Sequence, residues 1–285
     1  MTDKPQTRFG YDENQTKLAH ATCLYLATVL GDYLEDLVVV GGLVPSLLID
    51  QAGPDDDPSR HVGTMDLDLG LALAIRDQGR YHELASRLRG AGLRPDQKAD
   101  TGAKVSQRWK TDLGGPAITV DFLMAPPAGG AAPGELIHLE SDFATIAVPA
   151  LHLAFQDRRL VSLQGRTLKN ELAQRSLWVC GPGAFVVLKA LAFGNRGEPK
   201  DAYDLFYLTK HYGAGLDDIA VSLRPLLSDP AARQALEVLS RDFTAEAAPG
   251  PSRAASFIHG TAHPDTEADV AGLVRQLLKL LEVVD

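Results

Sequence analysis

The chain has 285 residues, is 45% hydrophobic and carries a formal net charge of -9. That length and apolar fraction suffice for one large domain or two smaller ones with a real core, which argues against a disordered chain. The acidic balance excludes coating of nucleic acid by bulk positive potential and leaves only a local basic surface for that purpose. Cys23 and Cys180 are the two cysteines, far apart and without a Cys/His cluster. They are expected to be reduced, buried thiols, with no structural zinc site. The start MTDKPQTRFGYDENQT lacks the apolar core of a signal peptide, and no run approaches the roughly 18 apolar residues of a membrane span. A soluble, cytoplasmic protein with no membrane partner is therefore expected.

In chain order, Leu18, Ala21, Leu24, Ala27, Leu30 and Leu34 recur at helical intervals and predict an amphipathic helix over residues 15–35. The β-branched run Leu37 to Val40 predicts a buried strand, followed by Gly41, Gly42 and a helix in LVPSLLIDQ that tolerates Pro45 in its first turn. AGPDDDPSR, residues 52–60, reads as a solvated loop. HVGTMDLDLG then predicts a strand, residues 78–90 a helix, VSQRWKT and AITVDFLM two more strands, and PPAGGAAPGE a hairpin loop or edge excursion. After residue 150, strand-like pieces such as LVSLQGRTL lead into mostly helical patterns, with AEAAPGPSRAAS (245–256) as an internal loop. The expected architecture is α/β (α+β): a mixed sheet flanked by helices over residues 1–150, then a mainly helical domain over 151–285.

Within HVGTMDLDLG, Asp66 and Asp68 are two apart and share one strand face, while Met65, Leu67 and Leu69 take the other. Two carboxylates about 7 Å apart on a partly buried strand repel each other and lose hydration, which is costly unless cations compensate. Mg²⁺ suits them, because hard divalent ions take carboxylate oxygens and leave positions for substrate phosphates. Asp121 in ITVDFLM supplies a third carboxylate if its strand lies beside the Asp66 strand. Gly41 and Gly42 end one strand and open a helix, where backbone N–H groups can approach a phosphate. Taken singly, the Asp pair also fits an exposed strand with alternating charge, and the glycine pair a simple turn.

The order strand, GG, helix, loop, TxDxD, strands, isolated Asp resembles the nucleotidyltransferase superfamily, and more closely its AbiEii/AbiGii-like group, which includes the MenT-type toxins. LKALAFGNRGEPKDAYDLFYL, residues 188–208, is similar to that group's second signature, with Lys189, Lys200, Asp201 and Asp204 at the matching positions. His61 stands where the group usually has Arg. The resemblance covers discontinuous motifs between about residues 37 and 208. It implies transfer of NMP from an NTP to a hydroxyl with release of pyrophosphate, the helical half completing the active site. It implies Asp66 and Asp68 as ligands of Mg²⁺ (or Mn²⁺), and Asp121 as third ligand or general base. Gly41, Gly42, His61 and Thr64 are then expected to bind the nucleotide together with Lys200 and Asp201, Lys189 to neutralise the leaving group, and Asp204 to orient the nucleophile. A toxin acting on RNA, with a tRNA 3′ end favoured and a cognate antitoxin as partner, is the implied role.

From the residues alone, Lys189 in an apolar helix needs an anionic partner, and Asp201 and Asp204, three apart, could equally form salt bridges with Lys189, Arg196 or Lys200. Residues 156–200 carry Arg158, Arg159, Arg166, Lys169, Arg175, Lys189, Arg196 and Lys200 against three acids, a net +5, and fit either a basic RNA-facing surface or dispersed solvated charges. His259 and His263 lack the glutamate of a metalloprotease HExxH, and Trp109 and Trp178 read as packing residues. Three other readings stay open: an acceptor that is a protein or a small molecule such as an aminoglycoside, a nucleotide-binding regulator without turnover, and a plain interaction protein.

Overall fold

The computed structural model describes residues 5–51, 60–72, 78–98, 100–111, 113, 118–127 and 130–282. Most of the predicted loop at 52–60 lies outside the described residues. In order, the elements are α1 (Glu13–Leu30), β1 (Leu37–Val40), α2 (Val44–Leu48), β2 (Asp66–Leu71), α3 (Gln78–Gly90), β3 (Leu93–Gln97), β4 (Lys104–Thr111), β5 (Thr119–Met124), β6 (Leu136–His138), β7 (Ala144–Ala147), α4 (Leu153–Gln156), β8 (Arg158–Arg166) and β9 (Leu172–Cys180). Among the described residues these are followed by the α-helices α5 (Pro182–Arg196), α6 (Pro199–His211), α7 (Leu216–Leu223), α8 (Pro230–Phe243), α9 (Pro249–His259) and α10 (Pro264–Glu282). The protein is thus mixed α/β, with its helices concentrated in the C-terminal half, as the sequence leads one to expect. No helix among the described residues is long and apolar enough to cross a membrane.

The chain divides into two compact units, a sheet unit of Glu13–Val44 and Gly63–Cys180 and a helical unit of Met1–Asp12, Pro45–Val62 and Gly181–Asp285. The sheet unit runs past residue 151 as far as Cys180. The reason is that 158–180 forms a long hairpin, β8 paired antiparallel with β9, whose second strand joins β1 in parallel.

Among the described residues the sheet has nine strands in the order β3-β4-β5-β2-β1-β9-β8, with β7 also paired to β5 and β6 to β7. Its pairings are both parallel and antiparallel. Along β2, Leu67 and Leu69 line an apolar space with Cys23, Leu26, Ala27 and Leu30 of α1. The alternation of the strand therefore sends Asp66 and Asp68 to the opposite face. On that opposite face Gly70 lies under Leu151. Trp109 and Phe122 both pack edge-on against Phe143, with centroids 5.6 and 5.1 Å away, and Trp109 is fully buried, a packing residue as expected.

Strand β3 is not apparent in the sequence, since LRPDQ contains a proline. Pro95 is tolerated because β3 is an edge strand, and its register with β4 shifts between Pro95 and Asp96.

In the helical unit, α5, α6, α8, α9 and α10 all begin on a proline. The ring presets the helical φ, and the missing N–H is one that a first turn leaves unpaired anyway. This corrects the reading of 245–256 as a loop: Pro249 opens α9, and Pro251 still lies within its first turn. Tyr203, Tyr207 and Phe257 form an aromatic core there, against which Tyr11, Ile49, Val62 and Ile258 pack.

Candidate functional site

Three neighbouring strands of the sheet unit, β2, β5 and β4, bring charged residues into one row, with β1 beside them. β1 pairs with β2 so that Val40 lies opposite Asp68, β2 with β5 so that Asp68 lies opposite Asp121, and β5 with β4 so that Asp121 lies opposite Arg108. Cross-strand neighbours share a face, so Asp68, Asp121 and Arg108 point the same way, joined by Asp66 two residues before Asp68. The three carboxylates each offer an oxygen within 4.8 Å of the other two, a spacing at which one cation can be shared. Asp66 is 7% and Asp121 5% exposed, so little hydration offsets their mutual repulsion. The donor set is all-oxygen, which fits Mg²⁺ or Mn²⁺ and not a soft metal.

Two neighbours hold this set in place. The Thr64 hydroxyl, buried, donates to Asp66 Oδ1 at 2.9 Å, so it fixes the carboxylate. Arg108 grips Asp121 with two parallel bonds, Nε to Oδ1 at 2.7 Å and a terminal nitrogen to Oδ2 at 2.6 Å. Its guanidinium is held charged well above its usual range, first by that bonding and further by Asp66 and Asp68. Arg108 did not stand out in the sequence. VSQRWKT is legible as a strand, but its register against Asp121 is a matter of pairing between strands and not of local pattern.

Gly41 starts a 3-10 turn, Gly41–Leu43, and the helix after it has only five residues, too short to present an N-terminus to a phosphate. What the site needs is the backbone itself. Gly41 has φ +72°, and a Cβ there would sit 1.9 Å from Asp68 Oδ2. Gly41→Ala is therefore expected to cost about 1–3 kcal/mol and to push the Asp68 carboxylate aside. Thermal unfolding reads the first effect and Mn²⁺ titration the second; wild-type behaviour in both would show the close approach to be unimportant. Gly42 lies in the same 3-10 turn.

The other expected residues, His61, Lys189, Lys200, Asp201 and Asp204, gather in the helical unit. Lys189 Nζ donates to Asp201 Oδ1 at 2.9 Å and to Asp204 Oδ2 at 2.7 Å. Arg196 closes a two-bond fork on Asp201 at 2.7 and 2.9 Å, and Lys200 pairs with Asp204. His61 Nε2 meets Asp204 Oδ1 at 2.8 Å, with its ring stacked on Tyr203 and edge-on to Tyr207. Gln51 accepts from the His61 backbone N–H and Tyr203 from that of Val62, so the segment carrying His61 is pinned to this core. Lys189 and Lys200 hold the Asp204 carboxylate far below the usual range despite its burial, and Asp201 is lowered by Lys189 and Arg196. Lys189 thus has the anionic partners its apolar surroundings demand, supplied by protein carboxylates. Asp201 and Asp204 are the salt-bridging acids of this cluster.

His61 differs from the phosphate-binding cation that the resemblance implies, because its side chain is enclosed. Burial, together with the ammonium of Lys200, lowers its pKa to about 4 against the pull of Asp204. The unfolded chain takes up a proton near pH 6.5 that the folded protein refuses until about pH 4. Stability from the neutral ring is therefore complete above pH 6.5 and declines as pH falls through that window, by about 3 kcal/mol in all. Urea unfolding at about pH 7 and about pH 5 is expected to differ accordingly, and His61→Gln to flatten the difference; an unchanged slope in the variant would assign it to other groups.

The basic residues of 156–200 are divided between the two units. Lys189, Arg196 and Lys200 are engaged in the carboxylate cluster of the helical unit. In the sheet unit, Arg158 lies 4.0 Å over Trp178 and Arg159 pairs with Asp157. His259 and His263 stack on each other, and both meet the Thr266 hydroxyl. No protein-family model matches the sequence, and no curated protein matches it either.

Proposed function

We propose that the protein is a divalent-cation-dependent nucleotidyltransferase that moves NMP from an NTP onto a hydroxyl of RNA, with a tRNA 3′ end as preferred acceptor. The observation that carries this reading is the in-register placement of Asp68 beside Asp121, with Asp66 on the same face and Gly41 against Asp68. Three carboxylates this close, Asp66 and Asp121 buried and Asp68 half-buried, favour a cation as part of the working site.

Asp66, Asp68 and Asp121 are the residues that would hold Mg²⁺ or Mn²⁺. Such an ion, when bound, activates the attacking oxygen and stabilises the pyrophosphate that leaves. The acceptor hydroxyl oxygen forms a bond to the α-phosphorus while the bond from that phosphorus to the bridging oxygen breaks. Asp121 is the third ligand or takes the hydroxyl proton. Thr64 keeps Asp66 in register, and Gly41 leaves the Asp68 carboxylate its space. The charge cluster around Lys189 and Asp204 makes the helical unit rigid where the sequence resembles the second signature.

The toxin role and its antitoxin rest on the sequence resemblance alone. A second acceptor class is a protein hydroxyl or a small molecule such as an aminoglycoside, which would draw on Lys189, Arg196 and Lys200 less, since these pair with Asp201 and Asp204. Incubation with each labelled NTP, Mg²⁺ and total tRNA separates the two. Label on RNA, lost in Asp66→Ala, supports the first reading. Label found only on protein or small molecule moves the acceptor, and label on nothing, with no NTP binding by calorimetry, overturns the enzyme reading.

A further inference from the structure

Arg108 is the charged partner that the carboxylate row keeps for itself. Its fork occupies both oxygens of Asp121, and its guanidinium is also attracted by Asp66 and Asp68. About a quarter of the side chain, 27%, remains exposed, so the guanidinium is not sealed into the sheet. A divalent ion entering among three carboxylates therefore meets a positive charge already in place, and one of its three ligands is already engaged. A planar fork that fits a carboxylate also fits two oxygens of a phosphate, whereas an ammonium does not.

We propose that Arg108 is the nucleotide-sensing residue of this site: it rests on Asp121 as an internal counter-ion and transfers its fork to a phosphate of the entering nucleotide when cation and nucleotide arrive together. The inference rests on the reading of the site as one for a divalent cation and an NTP. Two opposed effects follow. By competing for Asp121, Arg108 weakens the binding of a free cation. By pairing with phosphate, it strengthens the binding of the nucleotide that accompanies one. Bare ions are thereby kept from filling the site, and the ion enters with the substrate.

Opposed effects make the test sharp. Mn²⁺ titration of the full chain by calorimetry, first alone and then with α,β-methylene analogues of the four NTPs, is compared for wild type, Arg108→Gln and Arg108→Lys. Arg108→Gln is expected to bind Mn²⁺ alone about tenfold more tightly and the analogue about tenfold more weakly. Arg108→Lys keeps the charge and loses the fork, so its Mn²⁺ affinity stays near wild type while the analogue weakens. It also reads the proposal if the glutamine variant does not fold. Affinities that move together, or do not move, overturn the proposal. Asp68→Asn as a control tells which idea has failed. If wild type binds Mn²⁺ and Asp68→Asn does not, a flat result for both Arg108 variants defeats only the role of Arg108. If wild type binds no Mn²⁺, the cation reading fails and takes this inference with it.

Discussion

Asp204→Ala is expected to lower the stability of the protein by about 3–5 kcal/mol, the cost of removing one partner from a buried ionic set. The Asp204 side chain is 0% exposed, and it meets Lys189 at 2.7 Å, His61 at 2.8 Å and Lys200 as well. Without it, two ammonium groups remain in a dry interior with Asp201 as the nearest anion, and that carboxylate is already shared with Arg196. Asp201→Ala serves as a comparison. It releases Arg196, whose side chain is 52% exposed and hydrates readily, while Lys189 keeps Asp204, so a smaller loss is expected. Urea unfolding of the two variants checks the order. A loss under about 1 kcal/mol for Asp204→Ala would mean that water reaches the cluster.

Asp68→Asn is expected to act with the opposite sign on stability and with a far larger effect on chemistry. In the absence of divalent ions, removing one of three mutually repelling carboxylates is expected to raise stability by about 0.5–1 kcal/mol. The same change removes a ligand from the set, so the rise in melting temperature on adding Mn²⁺ is expected to vanish. If nucleotidyl transfer is the activity, it falls by about three orders of magnitude, the equivalent of several kcal/mol of lost transition-state stabilisation. Melting curves with and without Mn²⁺ give the first two outcomes, and single-turnover transfer of labelled NMP gives the third. A destabilised variant that still responds to Mn²⁺ would show that Asp68 serves the sheet and not a cation.

The two variants probe acids of different origin. Lys189, Lys200, Asp201 and Asp204 lie within one stretch of the chain, and the i,i+4 spacing of Lys200 and Asp204 already suggests that those two pair. Which acid is central was not legible there. Asp204 takes that place because His61, far away in sequence, docks on it through Gln51, Tyr203 and Tyr207. The resemblance put His61 at a nucleotide-contacting position where the group usually has Arg, and in the folded protein its enclosed ring meets Asp204.

For the sheet, the alternation of Asp66 and Asp68 with Leu67 and Leu69 was enough to say that one face is apolar and the other acidic, since strand geometry forces residues two apart onto the same side. The Gly41 turn and the strand carrying Asp121 were likewise visible locally. That these pieces meet was not, because strand order and register are set by contacts between segments far apart in the chain. Asp121 arrives opposite Asp68 only because β5 lies parallel to β2 in one particular register, and a shift of one residue would have turned it to the other face. Arg108 depends on a further pairing, β4 with β5, and the hairpin β8–β9 joins the sheet because β9 lies against β1.

By itself, then, the sequence determined periodicity: which segments are helices or strands, which side of each is apolar, and which residues carry charge. The tertiary structure alone decided partnership, placing Arg108 on Asp121, His61 on Asp204 and Gly41 against Asp68. The physical reason is one of range. Periodicity follows from local backbone geometry, whereas the partner of a buried charge is settled by register and burial across the whole unit, where an unpaired charge costs several kcal/mol.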